Sequence, residues 1–221
     1  MNAVSPAAVL GVSRIENDPA ISSALVDVLC LAFERDPHIN WLIRQDAGRD
    51  RAMAELFQLL LTEMGGVLHA TADRKAAALW YPPGNSPDRG AQSRFFLRFL
   101  AIAGPLRALK RGVDLKRMDR QHPRQSHFHL QLLGVAPEYQ GSGHGRALLE
   151  HLQALAQVSG SPVYLETSSP KNVAFYARHG FAPTAECTLS DHLRLWSLVW
   201  QPLNLETAVD RSVFLGMPHA E

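Results

Sequence analysis

Apolar residues recur along this chain at two spacings, and the changes of spacing divide it into helices and strands. Ile21, Leu25, Val28 and Leu29 share one face of a 3.6-residue repeat and predict a helix over about 20–33, broken by Asp36-Pro37. Leu56, Phe57, Leu60 and Leu61 form a second stripe over about 49–64, stopped by Gly65-Gly66. Shorter runs predict a strand near 12–16 and a hairpin of 67–70 with 75–81, its edge ended by Pro82-Pro83-Gly84. Leu97, Leu100 and Leu106 then interleave with basic residues over 89–124, as one or two helices would. Leu130, Leu132, Leu133 and Val135 make a strand that Pro137 ends. A helix follows from Arg146, with Leu148, Leu149, Leu152 and Leu155 at helical spacing. Residues 162–167 read as another strand, and Asn172 can cap a short helix that Gly180 closes.

The turn before the Arg146 helix is the chemical centre of the sequence. In Gln140-Gly141-Ser142-Gly143-His144-Gly145 the glycines let the backbone bend sharply and let successive N–H groups converge on one oxyanion. A helix N-terminus behind them adds partial positive charge, which suits phosphate. No Lys-Ser or Lys-Thr pair follows, so this is not a Walker A loop. The G-x-G-x-G spacing and the absence of a βαβ repeat separate it from a dinucleotide fingerprint. By itself such a turn serves equally as a plain loop and cap.

Its neighbours sharpen the reading. The run Leu133-Gly134-Val135-x-Pro137-x-x-Gln140-Gly141-x-Gly143-x-Gly145 is followed by Leu165-Glu166-Thr167-Ser168, then Asn172-x-x-Phe175-Tyr176-x-Arg178-x-Gly180-Phe181, and a closing strand running from Trp196 to Pro202. Over 127–202 this order resembles the GNAT acetyltransferases, and within them the puromycin N-acetyltransferase-like branch. Upstream, Phe33-x-x-Asp36-Pro37-x-x-x-Trp41 and Ala78-Leu79-Trp80-x-Pro82-Pro83-Gly84 carry the likeness more thinly. The resemblance implies an α/β (α+β) fold with a mixed, mostly antiparallel central sheet, helices on both faces, and a splayed pair formed by the Val135 strand and the 162–167 strand. It also implies acetyl-CoA as donor co-substrate, with a β-bulge at Leu133-Gly134-Val135 opening the donor slot. Puromycin itself is not implied, because the acceptor side is where the likeness is thinnest.

Composition narrows the setting. The 221 residues, 46% hydrophobic and carrying a net charge of +1, suit one domain over 1–221 with a loose 1–11 segment and a tail over 203–221. No run reaches the ~18 apolar residues of a membrane span, and the N-terminal stretch lacks a basic lead and apolar core, so a cytoplasmic protein is expected. Cys30 and Cys187 stand far apart, without metal or redox spacing. Over 89–124, ten Lys and Arg face only Asp114 and Asp119. A solvated helix face explains them best, with an anion-binding surface second; near-neutral overall charge argues against nucleic acid as partner. The resemblance sets this segment over the acceptor cleft.

Moving an acetyl group from a thioester to an amine needs a held donor, a deprotonated amine, an oxyanion contact and a proton for the thiolate. Backbone N–H groups of Gln140, Gly141, Ser142, Gly143, His144 and Gly145 can take the pyrophosphate, with Arg146 as a charge partner. The edge at Leu133, Gly134 and Val135 can pair with the peptide-like pantetheine arm, and Leu133 or Val135 N–H can meet the thioester carbonyl. By family position Tyr176 is the proton donor to the thiolate and Asn172 bonds the arm, while an aromatic core residue and a helix cap are the plainer readings of the two. Glu166 is a candidate base, equally readable as a locally satisfied strand carboxylate. Glu34 and Asp36 can draw in a cationic amine. Trp41 and Trp80 can wall the acceptor pocket, though burial is their default. His127 and His129 lie at i, i+2 with His122 nearby; no third ligand stands at a recognised spacing, so no metal is expected, and His127 is read as an auxiliary base. Neither cysteine falls in a motif, which favours direct transfer to a small-molecule amine. A protein or peptide acetyltransferase, a silent acyl-CoA sensor and a binding module built on 89–124 stay open, as does the oligomeric state.

Overall fold

The computed structural model describes residues 10–16, 19–85 and 89–203. Most of the 1–11 segment and the 203–221 tail fall outside them. Their innermost residues are held: Leu10 O accepts from Ala72 N (3.2 Å), and Leu203 N donates to Gln157 Oε1 (2.8 Å).

Seven strands form one sheet: β1 (Val12–Arg14), β2 (Val67–Thr71), β3 (Ala76–Tyr81), β4 (Phe128–Val135), β5 (Val163–Thr167), β6 (Ala182–Thr188) and β7 (Arg194–Trp200). Their order is β1-β2-β3-β4-β5-β7-β6, antiparallel throughout except for β4 with β5. The helices are α1 (Pro19–Phe33), α2 (Pro37–Leu42), α3 (Arg49–Thr62), α4 (Arg89–Ala103), α5 (Pro105–Asp119), α6 (His144–Ser159) and α7 (Pro170–Ala177).

Period-2 alternation on β3 shows how the two faces are used. Ala77 and Leu79 join Leu25, Leu29, Leu56 and Phe57 in a core under α1 and α3; Ala76, Ala78 and Trp80 join Leu148, Leu149 and Leu152 under α6. Both faces are covered, so all six β3 residues are buried.

On β4 the alternation breaks. Leu79 pairs with Leu132 but Trp80 with Leu130, leaving Gln131 as an extra residue. That bulge reverses the faces: Phe128 and Leu130 point to the α6 side, whereas Leu132 points to the α1 side. The bulge therefore sits at Gln131 and not at Leu133-Gly134-Val135. Gly134 has a packing role instead, since a Cβ there would come within 2.7 Å of Leu29 Cδ2 and 3.0 Å of Phe33 Cε2. Parallel pairing of β4 with β5 covers only Phe128–Leu130 with Val163–Leu165. Beyond it the two strands part, as the resemblance implied.

Two helix starts differ from expectation. Asp36-Pro37 ends α1 but also begins α2: Asp36 Oδ1 accepts from Ile39 N (2.9 Å), and proline suits the first turn. The cap of α7 is Ser169, whose Oγ accepts from Asn172 N (3.4 Å), followed by Pro170. Asn172 is thereby inside the helix with its side chain free of capping.

The basic segment forms α4 and α5, as the pattern predicts. Much of its charge is matched within the fold: Arg98 Nη1 donates to Glu63 Oε1 (2.9 Å), and Arg107 Nη1 to Ile43 O (3.3 Å). Arg111 is fully buried. It donates to Trp41 O, Ser190 Oγ and Asp191 Oδ2, and its guanidinium lies 4.1 Å from the Trp41 ring centroid. With Lys110 also bonded to it, Asp191 is held down to about 2. No helix among the described residues is long and apolar enough to cross a membrane.

Candidate active site

Where β4 and β5 part, a cavity of about 720 Å³ opens on the α1 side of the sheet. Asp36, Leu133, Glu166, Asn172, Tyr176 and His127 all line it, although they come from five parts of the chain. Phe33 from α1, Leu56 and Leu60 from α3, Phe95 and Phe99 from α4 and Met118 from α5 give it an apolar stretch of wall, beside polar residues such as His38, Arg124 and Gln125.

The floor carries a polar cluster. Glu166 Oε2 is 3.0 Å from His129 Nε2, and Oε1 is 3.3 Å from His122 Nε2; Tyr164 Oη donates to Oε1 at 2.9 Å. Burial by itself pushes the Glu166 carboxyl up, but His129 and His122 outweigh it and hold the group well below the usual carboxylate range. In this arrangement Glu166 is engaged by both histidines and Tyr164, which fits the plainer reading of a locally satisfied strand carboxylate. Burial, and then the Glu166 charge, raise Tyr164. Burial also lowers His127, with the neighbouring His122 and His129 adding to the effect and its bond to Gln125 O (2.8 Å) opposing it. The third ligand that sequence spacing lacked comes from β5: one ligand atom each of His122, His129 and Glu166 lies within 4.8 Å of the others. Sequence reading noticed these histidines but had no means of pairing them with Glu166, because the parallel register of β4 and β5 joins them (His129 lies opposite Tyr164).

Tyr176 is buried on α7 against Phe175 and Phe181 (ring centroids 5.2 and 5.5 Å). Burial, and then the Asp36 charge, raise its phenol above the ordinary value, so it stays protonated. Two buried polar atoms on cavity-lining residues have no hydrogen-bond partner: His38 Nε2 and Ser168 Oγ. Burial lowers His38 and keeps its ring neutral, against an opposing pull from Asp36.

On β4, Ala136 N donates to Lys75 O on the β3 side (2.8 Å). Ladder alternation then turns the Leu133 and Val135 amides the other way, into the gap. The glycine turn expected to hold phosphate lies beyond the far end of this strand, outside the cavity lining. Gly141 and Gly143 have φ of +82° and +96°, which favour glycine, and a Cβ at Gly141 would meet open space. The helix begins at His144, two residues earlier than the apolar pattern suggests, so Gly145 is inside it. The first α6 bond is Ala147 N to Gly143 O (2.9 Å), leaving the His144, Gly145 and Arg146 amides at the helix mouth. Gln140 N and Ser142 N are instead committed to turn bonds with Pro137 O and Tyr139 O, both 3.3 Å. The exposed Arg146 side chain pairs with Glu150 at 2.7 Å. Open glycines, a helix mouth and a free strand edge fit a phosphate-bearing, peptide-like donor.

The His144 side chain faces inward and braces the loop. Its Nδ1 is 2.7 Å from Ser142 Oγ and its Nε2 2.9 Å from Asp73 Oδ2. Although burial raises Asp73, bonds from His144, Thr71 and Lys75 N bring it down to about 2.

Three acceptor-side expectations are overturned. Trp80 is buried on the opposite, α6 face, stacked on His69 at 4.1 Å. Trp41 is buried over Arg111, its Nε1 donating to Ser190 O (2.9 Å). Glu34 is exposed and lies outside the lining; its backbone carbonyl accepts from Arg49 and Asn40. Burial also raises both thiols, Cys30 to about 11.

Residues 111–183 match the family model of the acetyltransferase (GNAT) domain. An uncharacterised N-acetyltransferase of Schizosaccharomyces pombe is 27% identical over 182 residues, a match covering 72% of this chain and 68% of that protein. Among solved structures, a histone acetyltransferase HPA2 and related acetyltransferase from Corynebacterium glutamicum superposes with a TM-score of 0.65 at 24% identity, over 87% of this chain and 97% of its own. Arylalkylamine N-acetyltransferase 2 from Aedes aegypti does so at 0.58 and 12% identity, over 86% and 99%.

Proposed function

We propose that this chain, which matches the GNAT acetyltransferase family model over residues 111–183, is an acyltransferase that moves an acetyl group from acetyl-CoA directly to the primary amine of a small molecule in a ternary complex. The observation that carries this reading is the convergence of Tyr176, the Glu166–histidine cluster and the Leu133 edge on one cavity.

Each requirement of the chemistry has a residue. The amides at the mouth of α6 hold the pyrophosphate, braced from behind by Ser142, His144 and Asp73. Asn172 and Ser168 offer polar contacts to the pantetheine arm, which lies along the free edge of β4. The amine loses its proton to His129, whose ring Glu166 orients through Nε2 and stabilises once charged. Its lone pair then attacks the thioester carbonyl carbon, and the Leu133 or Val135 amide meets the oxyanion that develops. Collapse breaks the C–S bond, and Tyr176 gives its proton to the departing sulfur. The nitrogen, cationic after attack, gives its second proton through solvent to the Tyr176 phenolate as the amide forms, and the proton on His129 leaves through the cavity mouth.

Thiol release from acetyl-CoA across a panel of amines tests the proposal. Acceptor-dependent release supports it. No release with any amine of the panel, with acetyl-CoA binding confirmed separately, counts against it and shifts weight to the sensor reading.

A further inference from the structure

Three side chains from separate parts of the chain converge on the floor of the cavity. His122 comes from the turn after α5, His129 from β4 and Glu166 from β5, and all three line the cavity. Each is partly buried, and one ligand atom of each lies within 4.8 Å of the other two.

The donor set is two imidazole nitrogens and a carboxylate. That combination binds zinc, whereas calcium and magnesium take oxygen ligands. Bonds of ~2.0–2.1 Å to a tetrahedral centre put neighbouring ligand atoms about 3.3 Å apart. The Glu166 carboxylate already spans both nitrogens at close to that spacing, 3.0 Å to His129 Nε2 and 3.3 Å to His122 Nε2. The two imidazole rings meet edge to face, their centroids 4.6 Å apart, so rotation of the side chains can close the rest.

A ligating carboxylate also needs support from behind. Tyr164 Oη donates to Glu166 Oε1 (2.9 Å) and lies 3.1 Å from Ser197 Oγ, which donates to Gln121 Oε1 (2.9 Å). This line of contacts leads from Glu166 back to the neighbour of His122 and ties two sides of the cluster together. The remaining side faces the cavity, which gives an ion a way in and leaves a coordination position for water.

We propose that His122, His129 and Glu166 form a divalent-metal site that takes Zn²⁺, with its fourth position turned to the cavity. The site stands whether or not the chain transfers acetyl groups. One consequence does rest on the acetyltransferase reading: a bound ion ties down the ring and the carboxylate that handle the proton of the amine, so Zn²⁺ inhibits transfer.

The full chain, stripped with EDTA and desalted, is titrated with Zn²⁺ alone against a chromophoric chelator, and with Co²⁺ while visible absorption is recorded. One equivalent of Zn²⁺ should bind with Kd below ~10 μM, and excess Mg²⁺ should not displace it. Co²⁺ should give the intense visible bands of a four-coordinate ion, a readout that needs no variant. Losing a residue that merely orients a ligand costs ~10–100-fold in metal affinity, so losing a ligand should cost at least ~100-fold. His122→Asn, His129→Asn and Glu166→Gln should each show that loss, and Tyr164→Phe, which keeps all three ligands, a ~10-fold one. His151→Gln, on α6 across the sheet, should keep wild-type affinity. Weaker binding in wild type, affinity that survives in the ligand variants, or an equal loss in His151→Gln leaves a hydrogen-bonded trio and overturns the site. In the acetyl-transfer assay saturating Zn²⁺ should lower kcat by ~100-fold, reversibly with EDTA. Zn²⁺ that binds without inhibiting overturns the consequence and not the site. A chain that binds Zn²⁺ but, stripped of it, acetylates no amine supports the site and counts against the acetyltransferase reading.

Discussion

At the residue scale two cavity residues are held in opposite protonation states by their surroundings. Tyr176 is held protonated by burial and by Asp36, and Glu166 is held ionised by two histidines. Tyr176→Phe should lower kcat by ~100-fold with little change in acetyl-CoA affinity, checked by steady-state kinetics beside a direct binding titration. Glu166→Gln keeps the shape but loses the charge behind His129, and should lower kcat by ~10-fold to ~100-fold. It also has a stability signature. Because the folded carboxyl lies below its ordinary 4.5, the charge stabilises the native state above that pH and ceases to as the pH falls below it. Melting temperatures of wild type and Glu166→Gln should therefore differ at pH 7 and converge on acidification. Sequence alone made Tyr176 legible through its motif. It could not fix the role of Glu166, because its partners His129 and His122 stand 37 and 44 positions upstream.

At the element scale, short segments act through what they press against. Gly134 lets β4 approach α1 at Leu29 and Phe33. Gly134→Val should destabilise the protein by ~1–3 kcal/mol in urea titration, the cost of overpacking a filled core. The Gly141–Gly143 turn was readable as a tight glycine turn from spacing alone. Its brace was not, since Asp73 belongs to the β2–β3 hairpin. Asp73→Ala should raise KM for acetyl-CoA by ~10-fold, the loss of one charge-assisted bond, with kcat nearly unchanged. An equal fall in kcat would assign Asp73 a part in the chemistry as well. The bulge at Gln131 was misjudged by a few residues for a comparable reason: a strand shows no period-2 break until its partner on β3 is known.

At the scale of the whole molecule, charge that looked like a surface for partners is partly structural. The buried Arg111 of α5 ties Trp41 of α2 to Ser190 and Asp191 of the turn before β7, with Asp114 adding a bond to Ser190 N (3.1 Å). Arg111→Met leaves the Trp41 carbonyl and Ser190 without that donor, and should cost ~2–4 kcal/mol by chemical denaturation. A change below ~0.5 kcal/mol would place this clamp among surface ion pairs. The clamp holds Trp41, and Trp80 stacks on His69 under α6, so neither aromatic walls the cavity as the sequence suggested. Large aromatics are buried by default, and composition does not say which layer buries them.

The sequence by itself determined the local features: the helix stripes, the strand runs, the glycine turn at a helix mouth, and through the motif order the GNAT architecture and the phenol on α7. These depend on neighbours within a few positions, where spacing and backbone freedom act directly. The tertiary structure alone decided which titratable groups meet. The β4–β5 register set His129 beside Glu166, the hairpin brought Asp73 to His144, and packing of α1 through α5 on the splayed sheet shaped the cavity that Glu166 and Tyr176 line. Proton affinity and substrate fit depend on burial and on charges a few ångströms away, and those distances exist only once the chain has folded.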